Sequence, residues 1–251
     1  MSKLSFSDFL NTPPGILLKE WEKERFDALV SDAFGSDALQ VGGMEIDALE
    51  ANRIRSKWRL FEKTPLEMEC ADGAFVQGLA EELPFDSESM DLVVLPHALD
   101  MSREPQKVLR EAVRVLRPEG RIVCSSFNRL GMWWMKQKFM TLGLPPYLPN
   151  RAVPVPLYRQ KDWMQLLGLE IDSGFFGVYQ PAFRRLPRLR RWSWINKAGD
   201  RWAPQFSNLV VLSAVKRVGR PTRLENKALD KLAEAIRQKN SVPLTQKTEN
   251  N

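Results

Sequence analysis

The chain has 251 residues, 43% of them hydrophobic, and its 37 lysines and arginines against 31 acidic residues give a net charge of +6. These proportions are typical of a globular protein and exclude a disordered or collagen-like chain. Two cysteines and one histidine, His97, exclude a disulfide scaffold, a cysteine-rich zinc site and any metal site built from a histidine pair.

The first ten residues mix serine, lysine and aspartate with apolar residues, and they lack the long apolar core of a signal peptide. The uncharged apolar stretches, such as 92–95, are far too short to span a bilayer. The sequence therefore predicts a cytoplasmic protein with reduced thiols and no membrane span.

The amino-terminal half begins with an apolar stripe at helical spacing, which predicts a helix over residues 13–34. Short strands are predicted next, at 38–41, 58–61 and 74–78, with a short helix at 45–53 between the first two.

The middle of the chain alternates between strand and helix patterns. A nearly continuous apolar run at 91–95 predicts a strand buried on both faces. A helix with one apolar face is predicted at 104–116, and a further strand follows at 121–125. This alternation is typical of parallel βαβ units.

Beyond these units the pattern predicts a helix at 131–141 and another at 161–167. Five prolines between 145 and 156 indicate an irregular crossing segment or lid. Strands at 169–179 and 208–218 are candidates for an antiparallel pair at one sheet edge.

We therefore predict an N-terminal helical segment at 1–37, a main domain at 38–218 and a basic, partly disordered tail at 219–251. After Val215 there are nine basic and four acidic residues, a net charge of +5, so most of the net charge of the chain lies beyond that residue. One interpretation is a solvated, solubilising tail, and the other is weak attraction to nucleic acid or anionic lipid.

A second basic cluster lies inside the main domain. Five arginines between 184 and 191 precede Trp192 and Trp194. Interleaved arginine and tryptophan can pair with and stack on nucleic acid. The alternative is an ordinary helix with its tryptophans packed inward and its arginine stems along the flank.

Residues 83–123 hold several short motifs in a fixed order and spacing, and this segment resembles the heart of a type-11, class I S-adenosylmethionine (SAM)-dependent methyltransferase. More weakly, 38–218 resemble an uncharacterised proteobacterial branch of that family. The motifs are Leu83-Pro84-Phe85, Met90-Asp91-Leu92-Val93, Pro96-His97, the helix LREAVRVL at 109–116 and LRPEGR at 116–121.

The resemblance implies an α/β, Rossmann-like fold, with a mostly parallel seven-stranded sheet and helices on both faces. It implies SAM as cofactor, with S-adenosylhomocysteine as product, bound at the carboxyl ends of the first three strands. The implied acceptor is most simply a small molecule. A nucleic acid is possible but not favoured, and neither the acceptor nor the oligomeric state follows from the sequence.

The cofactor residues carried over from the family lie after the first four strands. They are Val41, Gly42 and Gly43, then Glu62, then Gly78, Leu79 and Ala80, and then Pro96 and His97. Glu62 follows Gly42 by 20 residues, the spacing expected of an acid that binds ribose hydroxyls.

This chain departs from the family's first motif, an acid followed by GxGxG. Gln40 stands at the acid, and Met44 and Ile46 stand at the second and third glycines. A β-branched isoleucine disfavours positive φ, and a methionine side chain would project into the ligand's place. Leu79 also replaces an acid that commonly contacts adenine.

His97 is the candidate general base, with Asp100 as the residue that orients it. The alternative is a histidine that bonds a loop without chemistry. Trp133 and Trp134 are candidates for the substrate pocket, or they belong to a helix packed on the sheet. No metal site is predicted.

Three functions follow from these patterns. The first is a SAM-dependent methyltransferase acting on a small molecule. The second is a methyltransferase-like module that has lost turnover and serves binding or regulation. The third is an RNA-directed protein that uses the arginine-rich stretch and the tail.

Overall fold

The computed structural model describes residues 4–62, 74–139 and 146–217, which include a seven-stranded sheet in the order β3-β2-β1-β4-β5-β7-β6. All neighbours are parallel except β7, which is antiparallel to both β5 and β6. The predicted α/β class, the mostly parallel sheet and the antiparallel pair are therefore confirmed. The strands are β1 (Asp37–Val41), β2 (Ser56–Phe61), β3 (Ala74–Gln77), β4 (Met90–Pro96), β5 (Leu116–Phe127), β6 (Leu169–Gly177) and β7 (Leu209–Lys216).

Eight α-helices lie within the described ranges, followed near the end by a short 3-10 turn, Pro204–Phe206. They are α1 (Phe6–Leu10), α2 (Pro13–Val30), α3 (Ala98–Met101), α4 (Pro105–Val115), α5 (Met132–Phe139), α6 (Leu157–Leu166), α7 (Leu186–Arg191) and α8 (Trp194–Trp202). Most predicted helices are present. The one predicted at 45–53 is wrong, because that segment consists of turns whose apolar side chains enter the core.

The two faces of the sheet carry separate apolar layers. Leu92 and Val94 of β4 point to one face, where they join a cluster that includes Phe26 of α2. Val93 and Leu95 point to the other, together with residues of α4 such as Leu109. Alternate residues of one strand fill both layers, which explains the unbroken apolar run in β4.

The described residues 4–62, 74–139 and 146–217 belong to one compact unit, which ends at Arg217. Helices α1 and α2 bury Phe9, Leu18 and Phe26 in the same cluster as the sheet. The segment predicted as 1–37 therefore shares its core with the segment predicted as 38–218. Cys70 and the predicted tail at 219–251 lie outside the described residues.

The sheet topology gathers several loops at one edge. The carboxyl ends of β1 to β6 and the start of β7 all lie there, because β7 runs opposite to the others. This edge holds the turn after β1, the loops after β2 to β5 and the segment 178–208. No helix in the described part of the chain is long and apolar enough to cross a membrane.

Candidate functional site

The turn after β1 contains two glycines in the left-handed region, Gly42 at φ 76° and Gly43 at φ 54°. A Cβ at Gly43 would lie 2.5 Å from the Cβ of Pro96, so only glycine lets this turn touch the end of β4. A Cβ at Gly42 would meet nothing closer than the Cβ of Ala98, at 3.4 Å. Gly42 therefore has room where Gly43 has none.

The buried side chain of Gln40 holds this turn in place. Its Nε2 donates to the carbonyl oxygen of Ile46 at 2.7 Å and lies within 3.3 Å of those of Gly42 and Gly43, and its Oε1 accepts from the N–H of Ala48 at 3.2 Å. The turn thus satisfies its own polar groups. An amide performs this task because it both donates and accepts, whereas an ionised carboxylate only accepts.

The substitutions at the second and third glycine positions cause no backbone strain here. Neither Met44 nor Ile46 has a positive φ. The Ile46 side chain is buried in the core and that of Met44 is half-buried. The positive φ angles of this turn lie at Gly42 and Gly43 alone.

The ends of β2 and β3 form an open surface. Glu62 is exposed and follows Phe61, the last residue of β2. The N–H of Gly78 donates to the carbonyl oxygen of Phe61 at 3.1 Å, which brings the loop after β3 beside it. Leu79 is 49% exposed and Ala80 is half-buried. Glu62, which has no hydrogen bond or ion pair with any described residue, and the exposed Leu79 therefore follow two backbone positions that are hydrogen-bonded to each other.

At the end of β4 the predicted residue His97 is buried, with φ 52°. Its Nδ1 lies 3.0 Å from Oδ2 of Asp100, so the predicted contact between these residues is present. Its Nε2 lies 2.8 Å from Oε1 of Glu22 on α2. The rings of Phe6 and Phe127 cover the imidazole, with centroids 5.3 Å and 4.3 Å away.

Burial alone would lower the pKa of His97, but the charge of Glu22 and the hydrogen bond to Asp100 outweigh burial and raise the pKa to about 9. Burial also raises the pKa of Asp100. His97 is thus a cation at neutral pH, and both ring nitrogens face carboxylates. Its catalytic role stays a prediction, and that role would require Glu22 to move away.

Glu22 is a site residue that the sequence reasoning missed. Leu18, Glu22 and Phe26 follow one another at intervals of four on α2, and all three are buried. A carboxylate within an apolar helical stripe needs a buried partner. That irregularity was a signal for a cation opposite α2.

The candidate pocket residue Trp133 is 1% exposed. Its Nε1 donates to the carbonyl oxygen of Gln180 at 2.9 Å, and its ring packs edge-on against Tyr147 at 5.9 Å. Trp134 is half-buried. These contacts favour the packing alternative for Trp133.

A shallow cleft of about 410 Å³ opens between α2 and the segment 178–196. Leu17, Trp21, Val178 and Asn196 are among the residues that line it. None of the residues predicted to bind cofactor or substrate lines this cleft, so it is separate from the ends of β1 to β4.

The candidate cofactor site therefore has two unlike halves. The outer half has an exposed carboxylate, Glu62, and an exposed apolar side chain, Leu79, which are residue types that suit a sugar diol and a base. In the inner half, Gly43 touches Pro96 and Gln40 fills the turn, so the methionine end does not fit the turn as it stands.

Comparisons with known proteins bear on the family and on the fold of this chain. Residues 28–124, which include β1, β2, β3, β4 and most of β5, match the protein family described as methyltransferase domain. The uncharacterized protein YafS of Escherichia coli strain K12 is 35% identical over 103 residues, which are 40% of this chain and 42% of YafS. The ubiquinone/menaquinone biosynthesis C-methyltransferase UbiE of Bartonella tribocorum is 38% identical over 61 residues, 24% of each chain.

Among solved structures, the SAM-dependent methyltransferase of Mesorhizobium loti aligns with a TM-score of 0.53 at 13% identity, over 78% of this chain and 97% of that one. This likeness shows the fold. The matched segment spans less than half the length of either curated relative. The family and the fold together imply SAM as the cofactor.

Proposed function

Because residues 28–124 form a class I methyltransferase domain, we propose that this protein transfers a methyl group from SAM to a small-molecule acceptor. The observation that carries the proposal is Glu62. It is exposed, it follows the last residue of β2, and it has no hydrogen bond or ion pair with any described residue. A carboxylate at this position suits the two hydroxyls of a ribose.

The cofactor would supply an electrophilic methyl group, and the residues of this chain would hold the cofactor in place for the transfer. Glu62 accepts hydrogen bonds from the ribose, and Leu79 and Ala80 pack against the adenine. Methyl transfer depends mainly on such positioning, because attack on a sulfonium methyl needs little acid–base help.

Access for the methionine end requires the turn after β1 to open. Gln40 must release the carbonyl oxygens that it holds, which costs binding energy. The apparent affinity for SAM then falls by the fraction of molecules whose turn is open.

The class of acceptor is proposed from one relative. UbiE is named as a C-methyltransferase of ubiquinone and menaquinone biosynthesis, and the match to it covers about a quarter of this chain. We propose an apolar, ring-containing small molecule as the acceptor class.

One observation favours a second candidate function. The closed inner half, with Gly43 against Pro96 and the turn satisfied by Gln40, suits a methyltransferase-like module that binds a partner without turnover. The two candidates differ in whether the cofactor binds.

Calorimetric titration with SAM, and separately with S-adenosylhomocysteine, tests both candidates. We expect micromolar binding at one site, weakened about tenfold to hundredfold by Glu62→Ala, because hydrogen bonds to a charged acceptor are lost. Asp162→Ala removes an exposed carboxylate on α6 and serves as the control.

Equal affinity in wild type and Glu62→Ala would contradict the proposed ribose site. No binding by folded protein at millimolar ligand would overturn the enzyme and favour the binding module.

A further inference from the structure

Helix α8 presents an aromatic stripe to solvent. Trp194, Ala198 and Trp202 follow one another at intervals of four, and all three are exposed, the tryptophans by 64% and 80%. Lys197 and Arg201 are also exposed and lie beside the stripe on a helical wheel. We call these five residues the aromatic-basic face.

Close packing on the opposite side of α8 fixes this orientation. A Cβ at Gly199 would lie 2.4 Å from the ring of Tyr179, so the helix backbone rests directly on that ring. Oδ1 of Asn196 accepts from the N–H of Tyr179 at 2.9 Å. The tryptophans cannot turn inward without breaking these contacts, so the expectation of inward-packed tryptophans is wrong for Trp194.

The surroundings of this face are strongly basic. Residues 184–206 contain seven lysines and arginines and one acid, Asp200, a net charge of +6. Arg190 pairs with Glu20 across to α2. Five exposed cations of this stretch have no ion pair with any described residue: Arg185, Arg188, Arg191, Lys197 and Arg201.

Further apolar side chains are exposed on an adjoining loop. Nδ2 of Asn128 donates to the carbonyl oxygen of Gln205 at 2.8 Å and so ties the loop after β5 to the end of the α8 segment. Leu130 on one side of this bond is 54% exposed, and Phe206 on the other is 52% exposed. Both lie at the carboxyl edge of the sheet, the edge of the candidate site.

We propose that the aromatic-basic face, together with the neighbouring Arg188 and Arg191, docks this protein on an anionic lipid surface. Tryptophan suits the interface between lipid and water because its ring is apolar and its N–H is polar. Lysine and arginine beside it can reach anionic headgroups while their stems lie on the apolar layer. The face therefore matches an anionic lipid surface both in its charge and in the depth at which its tryptophans and its cations would lie.

The shape of the face favours lipid over single-stranded RNA. Nucleic-acid platforms stack bases on free aromatic rings within a basic groove. Here the stripe lies on a convex helix, and the ring of Trp194 already stacks on Trp192 at 6.2 Å and 26°. Aliphatic Leu130 offers nothing for a base to stack on. The proposal does not depend on cofactor binding.

Flotation of the full-length protein with phosphatidylcholine vesicles, with and without phosphatidylglycerol, tests the proposal. We expect binding to the anionic vesicles that weakens with added salt. Arg188→Gln with Arg201→Gln should lower the partition coefficient about 25-fold, at about fivefold per positive charge. Arg55→Gln with Arg110→Gln removes two exposed arginines elsewhere and should change it little.

A second pair of variants tests the apolar contribution. Trp194→Ser with Trp202→Ser should lower partition at least about tenfold per tryptophan, because apolar area returns to water. Phe34→Ser with Leu166→Ser is the control, since both side chains are highly exposed at the amino edge of the sheet.

Fluorescence gives a readout that is independent of affinity. Brominated phosphatidylcholine should quench wild-type tryptophan emission on anionic vesicles. Trp194→Phe with Trp202→Phe should keep the binding and lose most of the quenching.

Three results would overturn the proposal. One is equal loss of binding in the control variants. Another is binding of polyuridine, reduced by the same variants, in protein that ignores vesicles. The third is a dimer in sedimentation velocity that the tryptophan variants dissociate, again without vesicle binding.

Discussion

His97 lies where solvent does not reach, between carboxylates that favour its protonated form. Two carboxylates from different elements, Glu22 and Asp100, face its two ring nitrogens. It is the only histidine in the chain, so no other imidazole titrates with it. Its protonation can therefore be followed directly.

The stability of the protein should depend on this proton. The pKa of His97 is raised from its ordinary value of 6.5 to about 9 in the folded state. The resulting stabilisation is fully present below pH 6.5 and is lost as pH rises through about 9. We expect the free energy of unfolding in urea to fall by about 2–3 kcal/mol across this window.

In His97→Gln this fall should disappear. The single imidazole resonance in the NMR spectrum of wild type should titrate well above 6.5, which requires no variant. Titration at or below 6.5 would contradict a charged, paired His97.

At this scale the sequence predicted residue positions better than residue roles. The Asp100 contact follows from a spacing of three residues around a tight turn. The burial of His97 does not, because Phe6, which covers its ring, and Glu22, which faces its Nε2, lie on helices far earlier in the chain. Likewise Gln40 is recognisable as a departure from the family's acid, but its bonds to the following turn depend on a backbone path that the motif does not specify.

At the scale of elements, α8 combines two faces of opposite character. Its inner face uses Gly199 to approach Tyr179, and its outer face carries tryptophans and cations. The direction of the outer face depends on this close approach and on the hydrogen bond from the N–H of Tyr179 to Oδ1 of Asn196.

Two substitutions at adjacent positions of α8 should separate orientation from composition. Gly199→Leu should push the helix off Tyr179 and lower vesicle affinity about tenfold, although no charge or tryptophan is lost. Ala198→Leu adds apolar area on the exposed side and should raise the affinity several-fold. Vesicle flotation measures both, and equal effects of the two variants would show that orientation is irrelevant.

Elements with a strong period were predictable and the turn-rich segment was not. The apolar run of β4 and the single apolar face of α4 each allow one interpretation. Residues 45–53 have helical composition, but their apolar side chains Ile46, Ala48 and Leu49 enter the core from turns that Gln40 organises. Tertiary contacts determine the conformation of that segment, and the local sequence pattern carries no information about those contacts.

At the scale of the whole molecule, α1 and α2 belong to the core and not to an appendage. They contribute six apolar side chains to the core cluster on their face of the sheet: Phe9, Leu10, Leu18, Phe26, Leu29 and Val30. At about 2 kcal/mol each, their burial is on the order of 10 kcal/mol, comparable to the net stability of a typical domain.

A chain that starts at residue 38 should therefore fail to fold cooperatively. We expect it to lack the near-ultraviolet circular dichroism of packed aromatic rings and to unfold in urea without a sharp transition. A chain that ends at Arg217, where the first compact unit ends, is the control and should unfold like the full chain. Cooperative unfolding of the shorter chain from 38 would show that α1 and α2 are dispensable.

The place of β7 between β5 and β6 has a consequence for synthesis on the ribosome. After Phe127 ends β5, its partner β7 begins only at Leu209. At a synthesis rate of about 5–20 residues per second, the edge of β5 stays unpaired for on the order of 4–16 seconds before the start of β7 is synthesised. Meanwhile β6 has already emerged but is not the native neighbour of β5. A nascent chain of this protein therefore carries an exposed strand edge that can pair with other chains. Chaperones that bind nascent chains at the ribosome would have their greatest effect in that interval.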